Sequence, residues 1–190
     1  MEINRDIYLN RLIMRKQNGF IKVITGIRRC GKSYLLNKIF YNYLLSEGVD
    51  KNHIIRFAFD SADDLLLIDE DILDISEQNR KVDPRKFMKY LAGKIVDDEM
   101  YYLLLDEVQL LGNFEAVLNG YMRKDNLDIY VTGSNSKFLS SDILTEFEGR
   151  GDEIHVLPLS FSEFYSAYDG SKDEAFDDYM VSVSYTHLTL

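Results

Sequence analysis

Two glycines and a lysine stand between a short apolar run and a segment with helical spacing. The loop reads Gly26-Ile27-Arg28-Arg29-Cys30-Gly31-Lys32-Ser33. An apolar run at 21–25 precedes it, and the helical spacing begins at Tyr34. Paired glycines let the backbone curl until its N–H groups point inward, and a helix N-terminus adds partial positive charge. A strand, this loop and a helix in that order predict an α/β fold whose loop binds the phosphates of a nucleoside triphosphate.

The side chains of this loop indicate separate roles. We expect Lys32 to reach the terminal phosphates and the hydroxyl of Ser33 to bind Mg²⁺. We interpret Cys30 as a small side chain that fills a loop position; the alternative is a thiol activated by Lys32 and the helix N-terminus. The residues predicted to contact the nucleotide are Gly26, Ile27, Arg28, Arg29, Cys30, Gly31, Lys32, Ser33 and Tyr34.

A second apolar run, 101–105, leads directly into Asp106 and Glu107. In proteins with such a phosphate loop, an Asp at the end of a strand helps to hold Mg²⁺, so we assign that role to Asp106. The adjacent Glu107 is the predicted general base, which would take a proton from an attacking water. The alternative is a pair of solvated acids that open a loop, and the five apolar residues before the pair disfavour it.

A third predicted strand, 129–132, leads into Gly133, Ser134 and Asn135. Ser134 and Asn135 are candidates to touch the γ-phosphate or to orient the attacking water. Ser and Asn are also preferred as helix N-caps, and this second interpretation carries equal weight.

Composition restricts the class of protein and its partners. The chain has 190 residues, with 22 Lys and Arg against 32 Asp and Glu, and a net charge of −10. One domain is the expectation for this length, and so acidic a chain disfavours nucleic-acid binding by this segment. A single cysteine excludes a disulfide framework. The absence of a long apolar run and the acids Glu2 and Asp6 near the start predict a cytoplasmic protein without a membrane span.

Apolar strand patterns alternate with helical ones along the chain, which predicts a parallel sheet with helices on both faces. Asp83 followed by Pro84 is typical of a helix start, and Ser160 with Glu163 is typical of a capping box. The predicted elements between the first two motifs are a helix at 31–47, a strand at 53–59 and a helical region at 62–77.

Several motifs together resemble the AAA+-type P-loop ATPases, in the large prokaryotic group that carries a domain of unknown function behind the ATPase core. The matching features are the opening from Arg5 to Leu9 with Leu12, then 26–33, 104–109, 132–136, Gly149-Arg150 and 157–164. The resemblance covers about 3–180. It implies a P-loop core with an additional strand between the P-loop (Walker A) strand and the Walker B strand. It also implies ATP and Mg²⁺ as ligands, hydrolysis with Asp106 and Glu107, and Ser134 or Asn135 as the first sensor.

Arg150 is a further candidate in the light of this resemblance. AAA+ proteins often place an arginine after the sensor strand, where it reaches the γ-phosphate bound by a neighbouring subunit. Such a role for Arg150 would require a homo-oligomer. The alternative is a surface arginine in a turn, paired with Glu148 or Asp152, and both interpretations stay open here.

The last residues depart from the resemblance. From Val181 the chain changes from acidic helical composition to Ser, Thr and apolar residues, and 183–190 look like the translation of a sequencing adapter. We therefore predict an ATPase domain at 1–182 and a foreign tail at 183–190 on a truncated chain; the alternative is a genuine terminal strand. A missing C-terminal domain would be the place for a nucleic-acid partner.

These features predict a Mg²⁺-dependent ATP hydrolase. The alternative is an ATP-gated switch with slow or no turnover, whose effector domain is missing. The chain lacks the Asn-Lys-x-Asp motif of GTPases, because Asn37-Lys38 is followed by Ile39 and Phe40. A small-molecule kinase stays open, whereas the glycine spacing excludes a dinucleotide-binding oxidoreductase.

Overall fold

Five parallel strands form one sheet in a computed structural model that describes residues 3–77, 80–133, 147 and 149–187. The strands are β1 Ile21–Thr25, β2 Ile54–Ala58, β3 Tyr101–Asp106, β4 Leu127–Thr132 and β5 Gly151–His155. Their order across the sheet is β2-β3-β4-β1-β5. The strand β4 therefore lies between β1, which leads into the glycine loop, and β3, which ends in the acidic pair.

Helices precede the first strand, separate the first four strands and follow the last strand along the described chain. They are α1 Asp6–Met14, α2 Lys32–Tyr34, α3 Tyr41–Ser46, α4 Ala62–Leu66, α5 Ile72–Glu77, α6 Pro84–Lys94, α7 Phe114–Tyr121, α8 Phe161–Ser166 and α9 Lys172–His187. A π-helical segment, Leu35–Phe40, joins α2 to α3, and 3-10 turns occupy Lys51–His53 and Val108–Leu110. Among the described residues, no helix is long and apolar enough to cross a membrane.

Both faces of the sheet are covered at its centre, which is why β3 is apolar up to Asp106, whereas the edge strand β5 is mostly polar. Every residue of β3 is buried. Leu103 and Leu105 pack in one core layer with Phe87 of α6, whereas Tyr102 and Leu104 belong to the layer on the opposite face. Successive side chains of a strand point to opposite faces, so one apolar run supplies both layers. The predicted α/β class with helices on both faces is confirmed.

Local signals predicted helix starts well and helix continuity less well. The Asp83 carboxylate accepts the backbone N–H of Arg85 at 2.8 Å, and the capping box between Ser160 and Glu163 is present. The single helical region predicted at 62–77 is wrong, because the chain breaks it into α4 and α5. Asp69 adopts a left-handed φ of 55° in that break, which an α-helix cannot contain.

Helix α9 includes part of the segment predicted to be foreign. Its backbone is helical through His187, so the alternative of a terminal strand is wrong for 183–187. Residues 188–190 lie outside the described part of the chain. The proposed boundary at residue 182 stays a prediction.

A buried ion pair stabilises the edge of the sheet where β1 and β4 begin. Lys22 Nζ contacts Asp128 Oδ1, and the two side chains are only 1% and 2% exposed. Asp128 also accepts the Tyr130 hydroxyl at 2.8 Å and the Gln17 backbone N–H at 2.9 Å. Burial lowers the pKa of Lys22, and the Asp128 carboxylate opposes that shift. The pair is tolerated because its polar atoms are matched by partners within the protein.

We expect Asp128→Asn to destabilise the fold. Lys22 would keep its buried position without a countercharge, and breaking a buried pair costs about 3–5 kcal/mol. The free energy of unfolding, measured by urea denaturation, tests this. Asp97→Asn is the matched control, because Asp97 pairs with His53 at an exposed position. Equal midpoints for the two variants would contradict the structural role of the Lys22–Asp128 pair.

Candidate nucleotide-binding site

The loop between β1 and α2 depends on glycine at both ends. Gly26 has a φ of 142°, and a Cβ atom there would lie 2.3 Å from the carbonyl oxygen of Val156 and 2.8 Å from Cys30 Sγ. Gly31 has a φ of 95° and directly precedes α2. These conformations and close contacts exclude larger residues, so the backbone can curl as the sequence pattern predicted.

Lys32 begins α2 and is buried against the loop. Its ammonium group donates to the carbonyl oxygens of Gly26 at 2.9 Å and Ile27 at 3.0 Å. The side chain therefore folds back over the loop that it follows. An incoming phosphate would compete with these two neutral carbonyl groups for the Lys32 ammonium.

Asp106 is the best-connected acid of the site. Its carboxylate accepts hydrogen bonds from Ser33 Oγ and Asn37 Nδ2, each at 3.1 Å, and from the Thr132 hydroxyl. The residue is only 5% exposed, so the alternative of a solvated acid is wrong for Asp106. Ser33 and Asp106, the two predicted Mg²⁺ ligands, lie within hydrogen-bonding distance of each other although they are 73 positions apart.

The donor set suits Mg²⁺ better than a fully protein-bound metal. Among the described residues, no group of three or more His, Cys, Asp or Glu side chains could hold a metal ion. Mg²⁺ is usually bound through one or two protein oxygens, with phosphate and water oxygens completing its octahedron. One carboxylate and one hydroxyl beside a phosphate loop fit that requirement.

Glu107 follows the strand in a strained backbone conformation. Its φ of 52° and ψ of 45° are left-handed, which is uncommon for a residue with a side chain. Its backbone N–H donates to Thr132 Oγ1 at 3.1 Å, and Gln109 Nε2 donates to its carboxylate. Contacts on both the backbone and the side chain of Glu107 therefore hold it at the end of β3.

A third acid adds to the negative charge of this edge. Burial raises the pKa of Asp60, and the carboxylates of Asp106 and Glu107 raise it further. Three acids so close together create a local negative field that favours a bound cation.

Arg5 connects the start of the chain to the loop. It is 4% exposed, and it donates to the carbonyl oxygens of Cys30 at 2.6 Å and Leu157 at 2.8 Å and to Glu163 Oε1 at 3.1 Å. Next to it is a cavity of about 300 Å³. Its lining includes Ile3, Arg5, Arg29, Gly31, Tyr34 and Leu159.

The other predicted loop residues differ in their surroundings. Arg28 and Arg29 are exposed, Tyr34 is 37% exposed and Cys30 is buried. Burial raises the pKa of the Cys30 thiol more than Lys32 lowers it. The alternative of an activated thiol is therefore wrong, and a buried space-filling side chain accounts for Cys30.

The last two predictions of the site concern the sensor candidates and Arg150. Ser134 and Asn135 lie outside the described residues, so their roles stay predictions. Arg150 is exposed, and its carbonyl oxygen accepts the Ile21 N–H at 2.9 Å, at the start of β1. The glycine loop lies at the other end of β1, roughly 13 Å away at about 3.3 Å per residue. The acid Asp152, suggested as a partner for Arg150, pairs with Arg15 at 2.8 Å.

Four residues of the site were not assigned a role from sequence: Arg5, Asn37, Gln109 and Thr132. A signal existed for two of them. Asn37 follows Ser33 by four positions, which places both on one side of a helical turn. Thr132 is the last residue of its strand, at the same edge as Asp106. The contacts of Arg5 and Gln109 depend on tertiary structure and had no comparable signal.

We expect Gly26→Ala to weaken ATP binding by roughly tenfold or more, because the loop N–H groups would move out of line with the phosphate oxygens and a lost hydrogen bond to a charged group costs about 1.5–3 kcal/mol. A titration with fluorescent ATP measures the effect. Gly120→Ala in α7 is the matched control, since a Cβ atom there meets nothing within 4 Å. Similar affinities for the two variants would show that the close approach of Val156 to Gly26 does not shape the loop.

Solved structures share this fold at low sequence identity. A Walker-type ATPase of Pyrococcus abyssi superposes with a TM-score of 0.62 at 17% identity, over 94% of this chain and 63% of that one. The ORC1 protein of Aeropyrum pernix, solved in complex with DNA, superposes with a TM-score of 0.54 at 13% identity, over 94% and 50%. Identities this low indicate a common fold alone.

Two curated relatives are closer in sequence, and both are much longer. An uncharacterized protein of Haemophilus influenzae is 35% identical over 166 residues, which cover 87% of this chain and 38% of the relative. The uncharacterized protein MJ1544 of Methanocaldococcus jannaschii is 32% identical over 166 residues, which cover 85% and 31%. This chain thus spans about a third of either relative. The family described as AAA domain matches residues 18–165, and with the glycine loop and the acidic strand end in place, the chain belongs to that family of P-loop ATPase domains.

Proposed function

We propose that this chain is a Mg²⁺-dependent ATPase domain that hydrolyses ATP to ADP and phosphate. The observation that carries the proposal is the hydrogen bond between Ser33 Oγ and Asp106 Oδ1, at 3.1 Å. It joins the phosphate loop to the acidic end of β3, with Glu107 as the next residue. A binding loop, two metal ligands and a candidate base thus lie at one edge of the sheet.

Each residue has a defined task in the proposed reaction. The backbone N–H groups of the loop and the Lys32 ammonium bind the β- and γ-phosphates. Ser33 and Asp106 hold the metal ion, and Asn37 and Thr132 keep the Asp106 carboxylate in place. Bound Mg²⁺ would neutralise charge on the phosphate oxygens as the terminal phosphoryl group leaves.

Glu107 acts as the general base in this proposal. It takes a proton from the water whose oxygen forms a bond to the γ-phosphorus, while the bond between that phosphorus and the bridging oxygen breaks. A positioned base contributes about 10²–10⁴ in rate. The left-handed turn at Glu107 and the bond from its N–H to Thr132 support a fixed position for this residue.

The nucleoside has a suitable place next to the loop. The cavity beside Arg5 is bordered by Gly31 of the loop and by two apolar side chains, Ile3 before α1 and Leu159 in the segment after β5. An adenine ring would find apolar contact there within reach of the phosphate loop. The lack of a guanine-recognition motif supports ATP over GTP.

An ATP-gated switch is the second candidate, and the length of the relatives favours it. This chain matches about a third of each of the two long relatives. If the remaining part of such a protein performs its work, the nucleotide could control that part with little turnover. We place any nucleic-acid partner on the remaining part of such a longer protein, because this acidic segment offers little positive charge to neutralise phosphates.

Glu107→Gln should retain ATP binding and lose turnover by about 10²-fold or more, because the amide cannot accept the proton. Lys32→Ala should lose ATP binding itself. Steady-state phosphate release and a fluorescent-ATP titration with Mg²⁺ measure the two properties. Hydrolysis by Glu107→Gln at the parent rate would contradict the base assignment, and tight ATP binding without turnover in the parent would favour the switch.

We further propose that Arg150 acts on the nucleotide of a neighbouring subunit. Its place at the start of β5, opposite the glycine loop, prevents it from reaching the nucleotide of its own chain. It is also exposed, as a residue that contacts a neighbour must be in the isolated chain. Such an arginine in trans can contribute 10³–10⁵ in rate.

Mixing two inactive variants tests this role. We expect Arg150→Ala and Glu107→Gln each to be inactive alone, and their mixture to regain turnover, because the second variant supplies Arg150 to sites that keep Glu107. The double variant mixed with Arg150→Ala is the control and should stay inactive. Full activity of Arg150→Ala alone would identify it as a surface residue without a catalytic role.

A further inference from the structure

Gln109 lies two residues after Glu107 and contacts it directly. Both belong to the tight turn that follows β3, and Gln109 Nε2 donates to Glu107 Oε2. Gln109 is 8% exposed. An ionised carboxylate only accepts hydrogen bonds, so the NH₂ end of the amide must face Glu107. The orientation of this amide is therefore determined by its charged neighbour.

The oxygen end of the same amide supports this orientation. Gln109 Oε1 is buried, and it has no hydrogen-bond partner among the described residues. A buried acceptor without a partner is unfavourable. The arrangement is consistent with a charge-assisted bond to Glu107 that outweighs the loss at Oε1.

Packing restricts the movement of Gln109. Its backbone carbonyl oxygen accepts a hydrogen bond from Lys81 Nζ at 2.9 Å, and the Leu110 N–H donates to the Glu107 backbone carbonyl at 3.0 Å. The flanking side chains Val108 and Leu111 are almost completely buried. Gln109 is thus anchored before any ligand binds, as a residue that orients another must be.

We propose that Gln109 is a positioning residue that sets the direction of the Glu107 carboxylate for the attack of water. This inference rests on the proposed role of Glu107 as general base. Thr132 holds the backbone N–H of Glu107, and Gln109 holds one carboxylate oxygen, so both ends of the residue are restrained. The proton passes from water to Glu107 alone, and the neutral amide of Gln109 gains and loses none.

A double-mutant cycle distinguishes this role from a structural one. Gln109→Met has a similar volume and no donor, and it should lower kcat by about tenfold or more, since small misplacements of a reacting group are costly. ATP affinity should stay within about twofold. In a Glu107→Gln background the same change should alter the residual rate by less than about twofold, because the group on which Gln109 acts is already absent.

Two results would overturn the proposal. One is an equal loss of rate from Gln109→Met in both backgrounds. The other is a loss of ATP affinity with kcat unchanged. Gln109→Asn provides a second variant: it retains an amide that is one methylene too short to hold Glu107 in the same place. It should lose rate as Gln109→Met does, and parent activity in this variant would contradict the positioning role.

An NMR measurement tests the contact without any turnover. In protein labelled with ¹⁵N at glutamine, the side-chain amide protons of Gln109 should resonate downfield of exposed amides and move upfield in Glu107→Ala. An unchanged resonance would overturn the proposal. A parent protein that shows the shifted resonance and hydrolyses no ATP would instead contradict the proposed function, while the contact between Gln109 and Glu107 would stand.

Discussion

The buried carboxylate of Asp106 is the interaction on which the arrangement of this site depends. An ionised carboxylate is stable in the interior only when its oxygens accept hydrogen bonds. Its donors come from Ser33, from Asn37 in the π-helical segment and from Thr132 at the end of β4. Because β4 separates β1 from β3, the segment after the loop must cross β4 to reach Asp106. Phe40 packs against Tyr130 on that path, with ring centroids 4.5 Å apart.

A second buried charge organises the opposite side of the loop. The guanidinium of Arg5 binds a loop carbonyl, the Leu157 carbonyl after β5 and the carboxylate of Glu163, which also caps α8. Arg5 thereby connects the first helix, the loop and the segment beyond the sheet. A rearrangement of α8 would change the contacts of Arg5 and would therefore act directly on the loop. The phosphate site thus lies between two buried charges, each satisfied by several separate segments.

Much of the site was predictable because its parts are local. The loop from Gly26 to Ser33 carries its conformation in its glycines, and the apolar strand before Asp106 predicts both the burial of the strand and the position of the acids. Helix starts at Asp83 and Ser160 were likewise predicted, since a cap needs only a few neighbouring residues. The helix at 62–77 was predicted wrongly, because its composition is helical while the left-handed turn at Asp69 interrupts it.

The sequence by itself determined the α/β class, the phosphate loop and the identity of the two acids, because each depends on side chains within a few positions of one another. Only the tertiary structure decided which donors hold Asp106, that Gln109 contacts Glu107, and that Arg150 lies at the edge opposite the loop. These contacts join residues that are distant in the chain or depend on the exact path of a turn. The order of the strands brings the donors to Asp106, the parallel direction of β1 and β5 keeps Arg150 from the loop, and no local pattern encodes either.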